Sequence, residues 1–217
     1  MQFLIIIPVA ALIIAGIVFG LLMAKKRREA MAALAHKLGM SFSPQKKHNI
    51  DDQYAFLDAL KRGHNRYAKN IITGNYRGKN FKIFDYHYQT GSGKNTHHYN
   101  FSFFIMKIEK AFPELKITKE GFFSKIGQAL GFDDIDFESH EFSKQFCVRS
   151  KDKKFSYDFC NAQMIDYLLD NKDMNIEIEN NVVALAFDRN LKVEQIEHNI
   201  ERLLKIRSLM PEYLFKG

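Results

Sequence analysis

From Phe3 to Ala24 the chain reads FLIIIPVAALIIAGIVFGLLMA, without one charged or strongly polar side chain. As a helix rising about 1.5 Å per residue, this run reaches roughly 33 Å, enough to cross the hydrocarbon core of a bilayer. A helix that is apolar all round has no face to give to water, so an ordinary surface helix is excluded. Lys25, Lys26, Arg27 and Arg28 follow immediately, whereas only Met1 and Gln2 precede the run. A secretory signal has the opposite order, with basic residues first and a small-residue cleavage site after the apolar stretch. The order found here predicts an uncleaved single span with its amino terminus outside. The remainder is then expected in the cytoplasm, with the four basic residues resting on anionic head groups. Gly16 and Gly20, extended by Ala24, form a small-residue stripe that offers dimerisation through the span.

The division that follows is an anchor over residues 1–24, a basic helix and linker over 25–50, and a cytosolic domain over 51–217. With 217 residues and 46% hydrophobic composition, the chain suffices for one such domain. The formal charge of +7 falls to about +3 once the basic collar is set aside, which gives no reason to expect nucleic acid as a partner. Cys147 and Cys160 match neither a disulfide framework nor a CxxC motif, so reduced thiols are expected, as in a cytosolic domain.

Beyond the collar, EAMAALAHKLGM favours helix, with Met31, Leu34 and Leu38 on one face and Gly39 as its end. Tyr54, Leu57 and Leu60 mark a short helix closed by Gly63. From Tyr67 the period becomes strand-like. YAKNIITGNY, NFKIFDYHYQ and HHYNFSFFIMKIEK alternate, separated by RGK and TGSGKNT, and predict an antiparallel meander. Closing the second hairpin around Gly93 and Lys94 sets Phe84, Tyr86 and Tyr88 beside Tyr99, Phe101, Phe103 and Ile105. After Pro113 the pattern predicts a short strand, a helix ending at Gly131, a strand, a helical turn and a further strand up to Ser150. A helix at AQMIDYLLDN follows, then a hairpin turning at Asn180-Asn181. A final helix presents Val193, Ile196, Ile200, Leu203 and Leu204 to the sheet. The fold class is therefore α+β: a transmembrane helix, an antiparallel β-meander domain with inserted helices, and a carboxyl-terminal packing helix. A pleckstrin-homology-like sandwich is the fold analogy.

QTGSGKNTHHYNF, residues 89–101, resembles a phosphate loop but fails its spacing, because Asn95 follows Lys94 and Tyr88 stands where the first glycine belongs. On the other face of the meander, Asp85, His87 and His98 fall together with Asn100 and Ser102, a set able to hold a metal or move protons. The same face of an antiparallel sheet is polar by default, though Ile83 and Phe104 indicate that part of it is covered. The acidic run DDIDFESHE lacks the glycine and final glutamate of a calcium loop. No nucleophile has its elbow or a partner. No enzyme signature is readable and no cofactor is expected.

RGHNRYAKN, FDYHYQT, HHYNFSFF, GFDDIDFESHEFSKQF and MNIEIENNVVALAF, with the apolar run before them, resemble a family of small bacterial single-span membrane proteins with a cytosolic domain of unknown function. The resemblance implies an inner-membrane anchor and carries no site residues. The leading expectation is thus an adaptor that meets the lipid bilayer and a membrane-associated protein partner. The alternatives are a metal-dependent or acid-base hydrolase using Asp85, His87 and His98, and a structural homodimer paired through Gly16 and Gly20.

Overall fold

The computed structural model describes residues 2–119 and 134–216, with the side chains of residues 2–10, 51 and 59 outside it. The predicted helix ending at Gly131 therefore lies outside the described residues. The architecture is α+β, built on one six-stranded antiparallel sheet.

Helix α1 runs unbroken from Gln2 to Lys37. It ends where the sequence places a glycine: Gly39 has φ +67°, its N–H donates to His36 O, and the N–H of Met40 donates to Ala35 O, closing the last turn in a Schellman motif. Strand β1 (Ser41–Ser43) follows directly and pairs with β2 (His64–Tyr76). Residues 25–50 are thus no linker. Met31, Ala35, Leu38 and Met40 are buried in the core of the domain, so the domain begins near Arg27.

β2, β3 (Lys79–Thr90) and β4 (His97–Lys119) form the predicted meander, in the predicted register: Tyr88 opposes Tyr99, Tyr86 opposes Phe101 and Phe84 opposes Phe103. The Phe84 and Phe103 rings stack with centroids 5.5 Å apart, and those of Tyr88 and Tyr99 at 4.8 Å. Such pairs contribute about 0.5–1.5 kcal/mol each beyond burial alone. Gly63 is demanded by this hairpin: at φ +59° a Cβ there would stand 2.0 Å from the carbonyl oxygen of Gln89.

β4 is the spine of the sheet. One edge carries β3 and then β5 (Phe146–Ser150); the other carries β6 (Asn175–Phe187) along most of its length. Pro113 does not end a strand, and Asn180-Asn181 is not a hairpin corner; both lie inside long strands. Asn180 has the positive φ a turn residue tolerates, +53°, but it faces Phe112 where β4 carries surplus residues between two register shifts. The pair of irregularities bends both strands and exchanges their faces. Ile176 and Ile178 point to the same core as Val183 and Leu185, although their parity differs.

The sheet buries both faces. Against one lie α1, α3 (His140–Gln145), α4 (Lys153–Phe159), α5 (Ala162–Asp170) and α6 (Ile196–Leu209), with Phe104, Leu168, Ile200 and Leu203 fully enclosed. The other is covered by α2 (Ile50–Gln53) and a 3-10 turn over Asp58–Leu60, through Tyr54, Leu57 and Leu60. A single sheet covered in this way replaces the two-sheet sandwich of the analogy. α4 is an element the sequence reading lacks; Asp152 caps it by accepting from the Phe155 N–H at 2.9 Å.

From Ala11 to Met23 the large apolar side chains of α1 project into open space, Leu12 being 73% exposed. Among the described residues, no helix is long and apolar enough to cross a membrane; those side chains begin at Ala11, inside the apolar run.

Candidate functional site

Where α1 leaves its exposed stretch and meets the sheet, Arg27 turns inward. Its Nε donates to Asp85 Oδ2 at 2.8 Å and its Nη2 to Asp85 Oδ1 at 2.6 Å, a bidentate pair. Nη1 donates to the Leu191 carbonyl at 2.7 Å. Asp85 is 1% exposed, and its Oδ2 also accepts from Asn70 Nδ2 at 2.8 Å. Asn70 sits at φ +52° in a bulge of β2, between the pairs Lys69–Asp85 and Ile72–Ile83, and the extra residue aims its amide at the carboxylate. Ser102, opposite Asp85 on β4, accepts from the Leu191 N–H at 3.0 Å and so fixes the loop whose carbonyl receives Arg27. Helix, three strands and the loop before α6 converge on one ion pair.

This arrangement alters the reading of two groups of residues. Lys25, Lys26 and Arg28 are exposed as a basic collar, whereas Arg27, expected with them at the head groups, is turned inward and held against the sheet by the buried Asp85 carboxylate. The Asp85, His87 and His98 set does share one sheet face, yet it does not act as a unit, because Asp85 is committed to Arg27 and Asn70. His87 lies between the rings of Tyr67, at 4.7 Å, and His98, at 5.4 Å, and its Nδ1 is 3.4 Å from Asn100 Oδ1. Burial, helped by the neighbouring His98, Lys69 and Lys46 and opposed by the Asn100 hydrogen bond, holds its pKa below the ordinary histidine value. His98 Nδ1 turns to Gln89 Nε2 at 3.2 Å. Among the described residues, no three histidine, cysteine, aspartate or glutamate side chains are grouped to hold a metal.

A second charged cluster occupies the opposite sheet face, past the bend. Lys116 of β4 pairs with Asp58 and Glu114, and Glu177 of β6 accepts from the Asp58 N–H at 3.0 Å through Oε2. Glu177 Oε1 is buried without a hydrogen-bond partner. Burial pushes the Glu177 carboxyl up to about 7, against the pull of Lys116. Sequence reasoning missed this cluster. Its one local signal is the alternation of Asn175 and Glu177 with Ile176 and Ile178, which reads equally well as a solvated face.

The cysteines are free: Cys147 donates to Asp134 Oδ1 and is pushed up to about 11 by burial and that carboxylate, and Cys160 is raised by burial. Neither is poised as a nucleophile.

Fold and site define a class: an α+β domain whose first helix is at once an exposed apolar stem and part of the core. No family model matches the chain, and no curated protein matches it. Among solved structures it is similar to the mycobacterial trehalose monomycolate transport factor A, TtfA, with a TM-score of 0.57 and 11% identity, over 87% of this chain and 96% of that one. Likeness at that identity concerns the fold.

Proposed function

We propose that the protein is a binding adaptor of the bacterial inner membrane, anchored by a single span with the amino terminus outside and its domain in the cytoplasm. The observation that carries this reading is the continuity of α1. The same helix that exposes Leu12, Ile13, Phe19 and Leu22 on all sides enters the core at Met31 without a break, and Arg27 locks the junction to Asp85. Exposed apolar surface of this extent is costly in water and is relieved in lipid. The apolar residues before Ala11 complete a length sufficient for a bilayer. The collar of Lys25, Lys26 and Arg28 matches the positive-inside rule. Tethering raises the domain's concentration near other membrane components, so a partner of modest affinity is enough.

The test is a pull-down from detergent extract with the full chain and with a chain lacking residues 1–24. The expected result is a membrane-protein partner recovered by the full chain alone. Equal recovery of one soluble partner by both forms, or digestion of the domain by protease added to intact cells, defeats the proposal. Span pairing is a secondary reading favoured by one observation, that nothing lies within 4 Å of a Cβ added at Gly16 or Gly20, so that face of the stem is open to a second helix. Crosslinked dimers lost in Gly16→Leu support it, and their persistence removes it.

A further inference from the structure

On the sheet face turned away from α1, near the β2–β3 hairpin, a cavity of about 260 Å³ is lined by Tyr54, Thr73, Asn80, Lys82, Ile105 and Lys107 among others. Lys82 lies roughly 10 Å along the strand from Asp85, towards the end of the sheet remote from the collar. Thr73 opposes Lys82, and Lys82 opposes Ile105, two residues before Lys107, so both lysines rise from the same face. Lys82 is half-buried beside the Tyr54 ring, its Nζ 5.0 Å from the centroid and 2.9 Å from Gln53 Oε1. Burial and the charge of Lys107 lower its pKa.

Elsewhere in the molecule, half-buried cations meet carboxylates: Arg27 with Asp85, Lys116 with Asp58, Arg202 with Asp173 and Arg207 with Glu109. Half-buried Lys82 forms no ion pair with any described residue, and neither does Lys107, which is exposed at the mouth of the cavity. Two ammonium groups facing one cleft repel each other, and among the described residues the cleft supplies neutral donors, the Asn80 amide and the Thr73 hydroxyl, but no acid. An anion of charge −2 neutralises the pair, whereas a monocarboxylate leaves one ammonium uncompensated. Tyr54 and Ile105 give the cavity an apolar wall beside the basic one.

We infer that this cavity is a binding site for a small soluble phosphomonoester, its phosphate between Lys82 and Lys107 and its organic part against Tyr54 and Ile105. The inference is independent of the adaptor reading, since it uses neither the stem nor the collar.

Calorimetric titration of the full chain in neutral detergent micelles tests it, with inorganic phosphate, phenyl phosphate and benzoate as probes. Phenyl phosphate is expected to bind saturably, more tightly than phosphate alone and at least about tenfold more tightly than benzoate. Lys82→Gln and Lys107→Gln are each expected to weaken phenyl phosphate by about tenfold or more, while Lys82→Arg and Lys107→Arg retain it. Circular dichroism of each variant separates loss of the site from loss of fold. The inference is overturned if phenyl phosphate shows no saturable binding, if the double glutamine variant binds it unchanged, or if benzoate binds equally. Displacement of phenyl phosphate by vesicles of anionic phospholipid, but not by neutral ones, would equally overturn it by assigning the site to lipid head groups.

Discussion

The two halves of the bent sheet each bury a carboxylate, and they treat it in opposite ways. Asp85, on the stem side, has its oxygens engaged by a bidentate guanidinium and an amide. Glu177, beyond the bend, shares Lys116 with two other acids and keeps one oxygen unpartnered. The lesson is that burial alone does not decide what an ionic group does. A full complement of donors makes it a clamp, and an incomplete one leaves it protonatable near neutrality.

The largest effect is expected from breaking the clamp. Arg27→Met strands a buried charge and should lower stability by about 3–5 kcal/mol in thermal or denaturant unfolding followed by circular dichroism. Adding Asp85→Leu should recover much of that loss, because the stranded charge is then gone. If the single variant is as stable as the wild type, the ion pair is not what couples stem to sheet.

Next in size is Glu177→Gln. The folded pKa of about 7 lies above the ordinary 4.5, so the native state keeps a proton that the unfolded chain releases. This group's contribution to stability is therefore intact below about pH 4.5 and falls away as pH rises towards 7. Relative to wild type, the glutamine variant should be indistinguishable at pH 4 and more stable at pH 8, by an amount on the order of 3 kcal/mol. A difference independent of pH would show that Glu177 ionises freely. Lys116→Met sharpens the same point, because it removes the cationic pull that lowers the Glu177 pKa and should extend the pH dependence above 7.

The smallest effect belongs to the bend that separates the halves. Asn180→Ala places an ordinary side chain at positive φ and should cost about 1 kcal/mol, while Asn180→Gly should be nearly neutral. Equal costs for the two would mean that the backbone angle is not what matters there.

Much of the meander was legible because aromatic alternation in β3 and β4 admits one register, and a slip would have put Phe84 and Phe103 on the wrong face. Asn180 was read correctly as a residue at ease with positive φ, but the sequence cannot tell a reversal from a bulge without the partner strand, whose surplus residues lie near Phe112. The polar face holding Asp85 and His87 was also legible, including the hint from Ile83 and Phe104 that something covers part of it. What covers it was not. Arg27 stands in a run of four basic residues, and nothing local distinguishes it from Lys26 or Arg28. Its partner is 58 residues away, and only packing of α1 on the sheet brings them together.

An unbroken helix shared between stem and core has a mechanical consequence. From Ala24 to Lys37 it extends about 20 Å into the domain, with no glycine or proline between at which it could flex. A tilt of roughly 10° imposed on the stem would swing the far end by about 3–4 Å, carrying the sheet with it as one lever. The orientation of this domain is therefore set by whatever sets the inclination of its first helix.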